Sequence, residues 1–141
     1  MIRFRHAQSV AASAESASAF FRDVRNLKQV TPPYPAMLII GHDTAVVPGA
    51  QFAFRMDFGV FAFTWTSLIE NVEADGSFTD TFQGAMFRLW RHTHRFLREG
   101  TGSVVIDEIE CDPVWWFRPF AGMFLRALFR FRRRMLPAAL A

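Results

Sequence analysis

The sequence predicts an α+β fold: an antiparallel sheet of about six to seven strands, with one face covered by a long C-terminal helix. Three observations lead there. Residues 37 to 112 read as strands separated by turn residues, those strands put aromatic residues on one side and charged or hydroxyl residues on the other, and the chain then passes into an amphipathic helical pattern. A length of 141 residues fits one domain, 1–141, with a core of its own.

Residues 2 to 10 alternate as an opening strand, with Ile2, Phe4, His6 and Val10 on one side and Arg3 and Arg5 on the other. Ser13 is placed to cap a helix running to about residue 23, whose buried side takes Phe20, Phe21 and Val24. Thr31-Pro32-Pro33-Tyr34-Pro35 ends that helix and forces an extended connection.

The turns set which residues face each other, because directly opposed residue numbers in a hairpin add to a constant. A two-residue turn at Gly59-Val60 opposes Met56 to Phe63 and Phe54 to Trp65. One at Asp75-Gly76 opposes Phe82 to Ile69 and Asp80 to Asn71, and one at Gly100-Thr101 opposes Phe96 to Val105 and His94 to Asp107. A turn near Met86 sets Asp80 against His92 and Phe82 against Trp90.

One face therefore carries Phe52, Phe54, Met56, Phe58, Phe61, Phe63, Trp65, Ile69, Phe78, Phe82, Trp90, Phe96, Val105 and Ile109. The other carries Arg55, Thr66, Glu70, Thr79, Arg91, Thr93, Arg95 and Glu108 and belongs in water. Cover for the apolar face comes from a helix at about residues 119 to 135, with Phe120, Met123, Phe124, Ala127, Leu128, Phe131 and Met135 at helical spacing and Arg126, Arg130, Arg133 and Arg134 away from them.

Composition narrows the functional classes. Seventeen Phe and four Trp against one Tyr give aromatic area with few polar handles, which suits a large apolar interior or cavity. The net charge of +3 gathers in the last helix, so no nucleic-acid partner is expected; a weak contact with an anionic membrane through Arg126, Arg130, Arg133 and Arg134 is the remaining use of that charge. The single cysteine, Cys111, forms no internal disulfide and reads as a small core residue. With neither a signal-peptide pattern nor a run long enough to span a bilayer, a cytoplasmic setting is expected. Gly-rich phosphate loops and nucleophile elbows are absent from the sequence, and no cofactor is expected.

Asn26-Leu27 followed by Thr31-Pro32-Pro33, Gly84 leading into Trp90-Arg91-His92-Thr93-His94-Arg95-Phe96, then Asp107 and the arginine-ended last helix give the chain a resemblance to the START-like or SRPBCC superfamily. The resemblance is strongest to bacterial SRPBCC proteins related to polyketide cyclases and dehydrases. It implies a helix-grip fold, a curved sheet wrapped round the C-terminal helix, and a cavity between the two that takes a hydrophobic small molecule such as a lipid, polyketide or aromatic.

Four polar residues, Asp80, His92, His94 and Asp107, interrupt the apolar face on three neighbouring strands. Each is costly to bury alone, and pairing an imidazole with a carboxylate satisfies both. Asp107 is expected to bond His94, the residue opposite. Such pairs can fix strand register, orient the oxygen of a ligand in an apolar pocket, or make His92 or His94 an acid-base catalyst of cyclase or dehydratase type, with Asp80 and Asp107 as the supporting carboxylates. A metal site is not expected from alternate positions on a sheet. The ligand-binding set is then Phe54, Met56, Phe63, Trp65, Phe82, Trp90, His92, His94 and Asp107 from the sheet, and Phe120 and Phe124 from the helix. A peripheral membrane module with a cavity filled by its own side chains is the remaining alternative. The sequence leaves the oligomeric state open.

Overall fold

A computed structural model describes residues 1–141, the side chain of Gln83 excepted. Seven strands form one curved antiparallel sheet: β1 (Ile2–Val10), β2 (Ala36–Ile40), β3 (Gln51–Asp57), β4 (Ala62–Val72), β5 (Phe78–Gln83), β6 (Phe87–Glu99) and β7 (Gly102–Pro113). Their spatial order is β1-β7-β6-β5-β4-β3-β2, so consecutive strands are neighbours throughout except that β1 adds to the far edge beside β7. Helix α1 (Ala14–Phe21) and a 3-10 helix (Val24–Val30) follow β1, and helix α2 (Arg118–Ala139) closes the sequence of elements. Ser13 caps α1 as the sequence predicts, its side chain accepting from the backbone N–H of Ser16 at 3.1 Å.

Most of the expected register holds. Phe54 faces Trp65 and Met56 faces Phe63 across the Gly59 turn, where the glycine adopts φ 88°. His94 faces Asp107 and Phe96 faces Val105, and Asp80 faces His92. The β4–β5 hairpin differs: Phe82 opposes Ser67 instead of Ile69, and Asp80 opposes Ile69 instead of Asn71. Two causes combine. The loop has three central residues, Ala74, Asp75 and Gly76, with Glu73 donating to Ser77 at 2.7 Å and Gly76 at φ 86°, and a bulge between Ile69 and Asn71 shifts the pairing again. The two shifts together leave Asp80 and Phe82 facing inward.

The second correction concerns α2. Its buried residues are Ala121, Leu125, Phe129, Arg132 and Leu136, whereas Phe120 and Met123 of the expected stripe are 53% and 58% exposed. The helix is turned by about one residue, roughly 100°, from the predicted face. The sequence reading puts Arg126, Arg130, Arg133 and Arg134 outside the core and gives Arg132 no place; Arg132 is buried beside Asp107, and a buried guanidinium is tolerated where a carboxylate meets it. The helix also runs further than residue 135, since Leu136 is itself part of the core.

On the outer face, Arg95 donates to Glu108 at 2.6 Å, while Thr79, expected in water, is buried and hydrogen-bonded to Thr93 across the strands at 3.1 Å.

Candidate ligand-binding site

Two apolar clusters occupy the concave side. One joins Phe21, Val24, Phe52, Phe54, Ile69, Phe78, Phe96, Val105 and Leu136; the other joins Phe87, Trp90, Ile109, Cys111, Leu125 and Phe129. Between them six elements contribute polar residues. On β6 the order is Trp90, His92, His94, Phe96; on β7 it is Ile109, Asp107, Val105; on β5, Phe82, Asp80, Phe78; and on α2, Phe129, Arg132, Leu136. Ser67 on β4 and His6 and Gln8 on β1 extend the same belt. The apolar layer is thus crossed by a polar stripe perpendicular to the strands.

Within the stripe the pairing is diagonal. His92 Nε2 lies 2.7 Å from Asp107 Oδ1, and His94 Nε2 lies 2.9 Å from Asp80 Oδ2. A carboxylate only accepts, so both Nε2 atoms carry hydrogen. The expected preference of Asp107 for His94 is therefore corrected: the residues are opposed as predicted, but Asp107 makes its short bond to His92. Nε2 sits at the far end of the ring, and a bond through it suits the diagonal separation of about 7–8 Å better than the roughly 4.5–5.5 Å between directly opposed Cβ atoms. The nearer nitrogen of His94, Nδ1, does reach Asp107 Oδ1, at 3.4 Å. The two imidazoles stack with centroids 3.7 Å apart, and Phe78 stacks on His94 at 4.2 Å.

This geometry sets the protonation. Burial opposes a charge on His94, but hydrogen bonds to Asp107 and Asp80 outweigh it and its pKa is raised above 6.5. For His92, burial and then the neighbouring His94 charge dominate, and the bond to Asp107 offsets them only in part, so its pKa is lowered. Burial alone would raise the Asp107 carboxyl; hydrogen bonds from both histidines and the Arg132 charge instead hold it well below its usual range.

Beside the stripe lies a cavity of about 330 Å³ between sheet, 3-10 helix and α2. Of the residues expected to bind a ligand, Phe54, Met56, Trp65, Phe82, Trp90, His92, His94 and Phe124 line it, as does Asp80. Trp65, Phe82 and Trp90 form a stacked row with spacings of 4.9 and 5.1 Å. The other three do not line it. Phe63 packs with Phe58 and Phe61 at the outer end of the β3–β4 hairpin, Phe120 points away on α2, and Asp107, 1% exposed, stands behind the histidines. Sequence reasoning missed Phe21, Val24, Leu27, Tyr34, Ser67 and Arg132, all of which line the cavity. Strand parity marks Ser67, between Trp65 and Ile69, and helical spacing marks Arg132, between Phe129 and Leu136; no comparable signal tells which way the 3-10 helix and the proline segment face.

Further residues lie in or near the stripe and along the last helix. Asp80, His92 and His94 offer ligand atoms within 4.8 Å of one another, a spacing able to hold a metal ion, but both histidine Nε2 atoms already donate to carboxylates and Arg132 adds a positive charge beside them. Burial pushes the Cys111 thiol up to about 11, which fits a core residue rather than a nucleophile. In Trp115-Trp116-Phe117, Phe117 anchors the helix against Phe87 and Phe124, whereas Trp115 is 84% exposed. Arg126, Arg130, Arg133 and Arg134 are exposed, and among the described residues no helix is long and apolar enough to cross a membrane.

The sequence profile of a family described as a domain of unknown function, DUF8410, matches residues 52–140. No curated protein matches the sequence. Among solved structures, protein CV1439 from Chromobacterium violaceum superposes with a TM-score of 0.81 at 12% identity, over 98% of this chain and 96% of that one. A START superfamily protein from Mycobacterium smegmatis gives 0.70 at 14% identity, over 94% and 96%. A norcoclaurine synthase point mutant from Thalictrum flavum, in complex with a transition-state analogue, gives 0.72 at 13% identity, over 99% and 93%. These likenesses are of fold, and the fold is the START-like helix grip.

Proposed function

The chain belongs to the DUF8410 family, whose description assigns no function, and from that premise we propose that it binds a hydrophobic small molecule in the cavity between sheet and helix. The observation that carries the reading is the cavity itself: about 330 Å³, walled by a stacked aromatic row and by Phe21, Phe52, Phe54 and Phe87, with a few polar groups gathered at one side. That combination of apolar wall and convergent polar atoms is how small-molecule sites are generally built. Native mass spectrometry of the purified protein, with fluorescence titration by N-phenyl-1-naphthylamine, tests it. A co-purifying lipid or aromatic, or saturable dye binding competed by other apolar molecules, is the expected result; an empty protein that ignores the dye would sink the reading.

A second reading, acid-base catalysis of cyclase or dehydratase type, draws on one observation: His94, held between Asp80 and Asp107, faces the cavity and can carry a proton there. Incubating the recovered ligand with the protein and comparing its mass before and after separates the two, since a binder returns it unchanged.

A further inference from the structure

Arg132 is 4% exposed and lines the cavity, yet the fold gives it little to bond. Its guanidinium has five N–H donors. Among the described residues its one hydrogen-bond partner is Asp107, reached from Nη1 at 3.4 Å, and Nε has none. The group is nonetheless held firmly in place, packed over the Phe129 ring at 5.0 Å and the Phe21 ring at 5.6 Å. A rigid, buried donor facing an apolar cavity calls for an acceptor, because a buried donor left unmatched is costly. The local charge states what kind. Two carboxylates, Asp80 and Asp107, stand against Arg132 and His94, whose Nε2 donates to Asp80 at 2.9 Å and whose Nδ1 lies 3.4 Å from Asp107. Two carboxylates thus face at most two positive groups, and a further anion would enter a low-dielectric site without a counter-charge.

We propose that the ligand is an uncharged apolar molecule bearing a carbonyl oxygen, and that Arg132 donates to that oxygen; this rests on the reading of the cavity as a binding site. Three naphthalenes of similar shape test it by displacing N-phenyl-1-naphthylamine at neutral pH: 2-acetylnaphthalene, 2-ethylnaphthalene and 2-naphthoate. The ketone should displace the dye at about 10-fold lower concentration than the ethyl compound, the difference of one charge-assisted hydrogen bond, and at lower concentration than the carboxylate. Arg132→Met should remove the advantage of the ketone over the ethyl compound, the two then displacing the dye at similar concentrations. Equal displacement by ketone and ethyl compound would overturn the proposal, as would a stronger effect of 2-naphthoate, or a ketone preference that survives in folded Arg132→Met. Should that variant not fold, Arg132→Met combined with Asp107→Asn makes the same comparison without leaving one buried charge unpaired. Failure of the dye to bind at all would instead remove the underlying reading of the cavity, and this proposal with it.

Discussion

His94 stands between two carboxylates while its neighbour His92 meets one, and the stacked rings disfavour two charges side by side. The pair should therefore take up its first proton on His94. In an NMR titration His94 should become charged above its ordinary 6.5 and His92 should stay neutral below it. Stability follows with opposite signs. Protonated His94 stabilises the fold fully below pH 6.5, and that contribution is lost as pH rises through its raised folded value; neutral His92 contributes above 6.5 and loses it as pH falls through its lowered one. In urea titrations, the deficit of His94→Gln relative to the parent should grow as pH falls towards 6.5, and that of His92→Gln should shrink below it. Deficits that do not change with pH would refute the assignment.

Asp107 is the residue on which His92, His94 and Arg132 converge, all at Oδ1. Asp107→Ala strands a buried guanidinium and should cost about 3–5 kcal/mol. Asp107→Asn keeps the shape but removes the charge, at about 1–3 kcal/mol, and the pKa of both histidines should drop. Two histidines that titrate as in the parent would contradict the network. Four members of the stripe were legible because they break an alternating apolar pattern; Arg132 was not, because an arginine on a helix ordinarily marks the solvated side.

At the scale of elements, the rotation of α2 is directly testable. Leu125→Ala should cost about 2–5 kcal/mol, since the side chain is fully buried, whereas Phe120→Ser should stay within about 0.5 kcal/mol. The reverse ranking in denaturant melts would restore the face expected from the sequence. At the β4–β5 loop, Gly76→Ala should destabilise on two counts, the positive φ and a collision of the new Cβ with Ser18, whose hydroxyl donates to the Gly76 carbonyl at 3.0 Å and ties α1 to the hairpin. The hairpins themselves were readable wherever two residues make the turn. A third loop residue and a bulge have no comparable mark in the sequence, and there the register slipped while strand parity survived.

For the whole molecule, cover of the apolar face is the governing requirement. A chain ending near Pro113 lacks Ala121, Leu125, Phe129 and Leu136, and should be insoluble or molten; a soluble truncation with a cooperative melt would show that the face is protected otherwise. Architecture and order of elements could be read from alternation and turns, because a one-sided sheet demands a second layer. The sheet side of the cavity could be read in the same way, but the wall made by the 3-10 helix and proline segment could not, since their side-chain directions depend on contacts distant in sequence. The same dependence on distant contacts acts in time. β1 pairs with β7, Ile2 with Cys111, so the first strand made waits for the last. At about 5–20 residues per second of synthesis that wait is several seconds, during which an edge-seeking strand lies open. Refolding in vitro should be correspondingly slow, about milliseconds to seconds, with docking of β1 limiting the rate and transient chaperone capture of the nascent chain as its counterpart in the cell.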